Sequence, residues 1–135
     1  MAWGGIPVFT DGTRKAGADL STKQYHFVKL DASSDIIICN GADDVPYGVL
    51  QNNPNTGEEA VVMLIGITKL IAGEDISTPA TLIATGTDAR GEAVVEGTDI
   101  TRYLVASTIE GGAADGEVAT VVVNSAVAQT LSHIA

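Results

Sequence analysis

The stretch DLSTKQYHFVKL (Asp19–Leu30) returns fifty-six positions later as DISTPATLIATG (Asp75–Gly86), and this recurrence decides the fold. At the same offset Gly41 falls on Gly97, Asp43 on Asp99, Tyr47 on Tyr103 and Val49 on Val105. GEEAVVMLIG (Gly57–Gly66) then lies over GEVATVVVNS (Gly116–Ser125). The change of offset falls within the loop EGGAADGE, where Gly and Ala tolerate insertion. The chain reads as two tandem units, residues 19–72 and 75–130, within one domain of residues 19–135.

Both units are written in strand chemistry. No segment carries a sustained helical apolar period with caps at its ends. Instead YHFVKL, DIIIC, YGVLQ, AVVMLIGITKLI, ATLIAT, EAVVE, RYLVAST and VATVVVNSAVAQTL alternate with DASSD, NGADDVP, NNPNTGEE, GTDARG, EGTD and EGGAADGE. These separators hold the Gly, Asn, Asp and Pro that turns require. A unit of about four strands has an apolar face and two open edges, and is a poor independent folder. Two such units related by a pseudo-twofold can close on each other. The expected fold is all-β, a compact barrel or sandwich. In AVVMLIGITKLI both faces are apolar, which predicts burial on two sides or contact with another subunit. Gly66 and its counterpart Ser125 suit a bend in the long strands.

Composition narrows the function. Apolar residues make up 45 % of the 135-residue chain but aromatics only 4 %, and seventeen acidic residues against seven basic ones give a net charge of −10. Phosphate contacts need a cationic face, so a nucleic-acid partner is not expected. No apolar run is long enough to span a membrane as a helix, and MAWGGIPVFTDGTRK does not read as a secretory signal. Cys39 is the single cysteine and ends the run IIIC; it reads as a core residue suited to a reducing compartment. His26 and His133 pair with no nucleophile or carboxylate at a catalytic spacing. The acidic pairs Asp43–Asp44 and Glu58–Glu59 sit in turns without calcium-loop spacing. No phosphate-loop glycine pattern is present. An enzyme, a cofactor and a metal site are all unexpected.

The first eighteen residues lie outside the recurrence as read above. They hold the only Trp, with Trp3, Ile6, Val8 and Phe9 as apolar anchors and Arg14 and Lys15 as cations on an acidic chain. Neither a helical nor a strand pattern organises them. They read as an extended N-terminal arm, disordered in free protein and dispensable for the barrel, that would clamp a neighbouring subunit or a larger assembly.

ADLSTKQYHFVKLD followed by DDVPYGVLQNNPNTGEEAVVMLIGITKLIAGEDI resembles the DUF2190 family of small tailed-phage proteins. The likeness spans residues 17 to 125. It is most specific in KQYHFVKL and in the module from Gly48 to Val62; the second unit departs from it, with YLVAST where YGVLQN stands in the first. The resemblance implies a decoration, or cement, protein on the outside of a phage head, made in the bacterial cytoplasm and carried on the virion. The implied partners are the major capsid protein and the chain itself, with a trimer at three-fold or quasi-three-fold positions expected by analogy. A head-surface adhesion module that binds the host is the alternative.

Overall fold

The structure, a computed structural model, describes residues 8–41, 44–86, 88–95, 98, 102–125 and 129–130. Among these there is no α-helix. The first unit contains β2 (Phe27–Leu30), β3 (Ile36–Ile38), β4 (Gly48–Leu50) and β5 (Glu59–Ile71). The second contains β6 (Leu82–Thr85), β7 (Gly91–Ala93), β8 (Tyr103–Leu104), β9 (Ala106–Thr108), β10 (Val118–Asn124) and β11 (Gln129–Thr130). Every segment read as a strand from sequence is one, the last two being split. An additional strand, β1 (Phe9–Lys15), precedes them.

One curled antiparallel sheet runs β3-β2-β4-β5-β10-β9-β6-β7, with β1 also on β5, while β8 and β11 form a separate pair. Read inward from either end, the order is the same: hairpin partner, hairpin strand, short strand, long strand. The ladders repeat as well. Val28↔Ile38 and Phe27↔Val49 in the first unit are answered by Ile83↔Ala93 and Leu82↔Ser107 in the second, so Phe27 matches Leu82 and not Ile83, on which the fifty-six-residue offset lays it. The left-handed residues also correspond, Tyr25 (φ 65°) and Ser34 (φ 65°) with Ala80 (φ 58°) and Ala89 (φ 67°).

Two further expectations change. Tyr103 is not the counterpart of Tyr47. The ladders match β4 with β9, so Val49 corresponds to Ser107, while Tyr103 lies in β8 and pairs with Thr130. A slip of two residues leaves every side chain on its own face of a strand, so residue identities alone could not resist it.

The second change concerns residues 1–18. Trp3 and Ile6 lie outside the described residues, but residues 9–15 are not an unorganised arm. They form β1 along the N-terminal half of β5, from Phe9↔Ile65 to Lys15↔Glu59. The C-terminal half of β5 is paired by β10, from Asn124↔Ile65 to Val118↔Ile71. β1 therefore stands to the first unit as the second half of β5 stands to the second unit. The following residues agree: Ala16 N donates to Glu58 O and Gly57 N to Ala16 O, while Ala72 N donates to Glu117 O and Gly116 N to Ala72 O. The recurrence thus begins before Asp19, in AGADLS (16–21) against AGEDIS (72–77). β1 has lost its likeness to the second half of β5 because it lies largely exposed, whereas Leu70 is buried.

The core has two parts. Ala16, Leu20, Val28, Ile36, Leu50, Ala60 and Val62 fill the first unit. Phe27, Cys39 and Val49, on the opposite face of the same strands, pack with Leu70, Ile83, Ala89 and Val121 of the rest of the chain. Of the two apolar faces of β5, one supplies Ala60, Val62 and Leu70 to these clusters, and on the other Met63 is buried opposite Val49. Gly66 sits in the middle of β5 at φ 146°, where a Cβ would lie 2.9 Å from Met63 Sδ. Such a backbone is open to glycine at little strain.

Candidate interaction surfaces

The acidic and titratable groups singled out in the sequence serve the fold where they are described. Asp44 pairs with Lys29 Nζ at 2.9 Å and accepts from the N–H groups of Asn40 and Gly41. Glu58 accepts from Asn55 N at 2.7 Å. His26 is half-buried with Nδ1 3.1 Å from Gln24 O, and burial holds its pKa below the usual value. Cys39 is buried, which pushes its thiol up to about 12. Asp43 and His133 lie outside the described residues. Among the described residues no three His, Cys, Asp or Glu side chains converge as metal ligands.

Of the residues assigned to contacts, Val8 and Phe9 are 48 % and 57 % exposed and Arg14 and Lys15 are also exposed, all at or along β1. The strand brings these four to one edge of the sheet. Its conformation is held by Asp11, whose Oδ1 accepts from Thr13 N at 2.8 Å and whose Oδ2 accepts from Tyr47 Oη at 2.6 Å. Hydrogen bonds from Thr13 and then Tyr47 lower the Asp11 pKa, outweighing its desolvation. Burial, followed by the Asp11 hydrogen bond, raises that of Tyr47. Arg14 Nε lies 3.7 Å from the same carboxylate.

Two apolar surfaces were not singled out from sequence. One is a hollow of ≈430 Å³ lined by Leu30, Val45, Pro46, Tyr47, Leu64 and Ser125. The Ser125 hydroxyl is directed at Tyr47 O and Leu64 O, which closes the floor where β10 has ended. The other is a row across four strands, Leu82–Ser107–Val122–Ile67, paired residue by residue. Directly opposed residues share a face. Leu82, Val122 and Ile67 are 38 %, 42 % and 53 % exposed. Each residue is unremarkable alone, and only the register aligns them.

The fold has a solved counterpart. The chain is similar to the crystal structure of the head fiber gp8.5 N base of bacteriophage phi29, with a TM-score of 0.61 and 18 % identity over 88 % of this chain and 94 % of that one. At this identity the likeness establishes the fold. No protein-family model and no curated protein matches the chain.

Proposed function

We propose that this chain is a structural protein of a tailed-phage head, a decoration protein that binds the outer surface of the shell and stabilises the mature capsid. The observation that carries this reading is the correspondence, along nearly the whole of both chains, with the base of a phage head fiber. The DUF2190 resemblance points to the same particle. An acidic β-protein with a net charge of −10 suits a component that must not bind the genome beneath it.

The mechanism needs no bond chemistry. Packaged DNA presses outward, and a shell fails where neighbouring capsomers part. A rigid clip across that seam adds contacts that exist only in the assembled lattice, so it shifts the equilibrium toward the intact shell. Repetition over the surface sums modest contacts. On this reading the major capsid protein is the partner, and the exposed edge carrying Val8, Phe9, Arg14 and Lys15 is the side that meets the shell or a neighbouring copy.

The neighbour's role as a fiber base favours one alternative: the chain would seat a projecting, host-binding element on the head. Quantitative gels of purified virions, with recombinant protein added to heads that lack it, separate the two. A decoration protein is present at amounts comparable to the major capsid protein, and its addition raises the temperature at which heads release DNA. Low copy number with no effect on head stability would overturn the decoration reading.

A further inference from the structure

The two units treat the same face differently. In the first, the row Phe27–Val49–Met63 is buried, at 0 %, 0 % and 7 % exposure. Its counterparts by register in the second unit are Leu82, Ser107 and Val122, which form the open row described above. A depression of ≈270 Å³ lies over them, lined also by Leu104, Val105 and Ala106.

The occupant of the first row is visible within the chain. At Phe27 and Val49 it is the β6–β7 turn, joined by a hydrogen bond from Phe27 N to Ala89 O at 2.8 Å, with Ala89 in the same buried cluster as both. Next to it, Ile71 N donates to Tyr25 O at 2.9 Å. Each group in these contacts has a counterpart at the opposite end of the molecule. Ala89 corresponds to Ser34, which has the same left-handed backbone, and Tyr25 likewise to Ala80. Ile71 corresponds to Lys15, since these residues end equivalent ladders. Lys15 and Ala80 are both exposed. The chain thus carries both halves of its own internal contact a second time, and no hydrogen bond joins Leu82 to Ser34 or Lys15 to Ala80 within one molecule.

We propose that the Leu82–Val122 row is a docking site for a second copy of this chain, occupied by that copy's Asp31–Asp35 turn with Ser34 over Leu82. The contact is head-to-tail and continues the one between the two units. Lys15 N–H of the incoming copy meets Ala80 O, and Arg14, which replaces the buried Leu70, lays its aliphatic stem along the row. A heterologous contact of this kind closes into a ring if its rotation permits.

The inference rests on the self-association part of the proposed function but not on head binding, and it is tested on free full-length protein. A Leu82→Cys chain and a Ser34→Cys chain are mixed under mild oxidation; Cys39, buried and with its thiol pushed up to about 12, stays silent. Mixed 82–34 disulfide dimers are expected to dominate over either homodimer. Leu82→Asp should weaken self-association, measured by sedimentation, by at least about tenfold, with its melting recorded alongside to show that the variant is folded. Dominant 82–82 dimers would show a like-with-like contact and overturn the proposal. So would an unlinked, monomeric protein at concentrations of about 0.1 mM, well above the micromolar range of a modest contact. Failure of the protein to bind heads would touch only the reading of the previous subsection.

Discussion

Asp11 ties an edge strand both to Thr13 within it and to Tyr47 beside β4. Because its folded pKa lies below the ordinary carboxylate value, it contributes stability that is present above the unfolded chain's pKa and is lost as pH falls through the folded pKa. Acid titration of unfolding should therefore show a loss below about pH 4 that is smaller in Asp11→Asn. Tyr47→Phe removes a charge-assisted hydrogen bond and should lower stability by about 1.5 kcal/mol in urea denaturation at neutral pH. Gly48 is constrained differently. A Cβ there would run into the Met63 carbonyl and lie 2.6 Å from Val62 Cγ1. Its counterpart in β9, Ala106, already carries a methyl group, so the crowding belongs to the first unit alone. Gly48→Ala should cost about 1–3 kcal/mol as an overpacked site, while Ala106→Gly should cost less, the pair being compared by thermal melting.

At the scale of elements, the strands legible in sequence were those whose β-branched runs are bounded by turn residues. DIIIC and ATLIAT became β3 and β6 because burial rewards the very pattern that marks them. β1 was not legible. FTDGTRK has no alternation because most of it is exposed, and its register on β5 shifts at Phe9/Thr10 and again between Asp11 and Arg14. A strand interrupted in this way has no period to read. The open row was equally hidden, since Leu82, Val122 and Ile67 come from three strands far apart in sequence. Because residues 9–15 form a strand on β5, truncation at the N-terminus reaches the fold itself. Deleting residues 2–15 removes β1 from beside the fully buried Ala60 and Val62. The expected loss exceeds about 2 kcal/mol, beyond what surface changes produce. Deleting residues 2–7 removes Trp3 and Ile6 but spares β1, and should leave the melting temperature close to that of the whole chain. Calorimetry on the two truncations distinguishes a structural strand from a free arm.

Across the whole molecule, neither unit is complete without the other. Phe27 and Val49 of the first are covered by residues of the second, and the C-terminal half of β5 has its ladder partner in β10. Residues 1–72 expressed alone should remain unfolded or aggregate, visible as lost strand signal in circular dichroism and as dye binding. A folded, monomeric fragment would show that the units are independent. The shared strand also has a mechanical meaning. β5 is thirteen residues long, about 43 Å of extended chain, gripped along one half by β1 and along the other by β10. Such an arrangement is a lap joint. Tension applied along β5 loads both ladders in shear, so their hydrogen bonds must fail together instead of opening one after another from an end. In the role proposed for this chain, a strap over a seam under internal pressure would need that kind of resistance, and single-molecule pulling along this axis should meet a higher rupture force than pulling across the sheet.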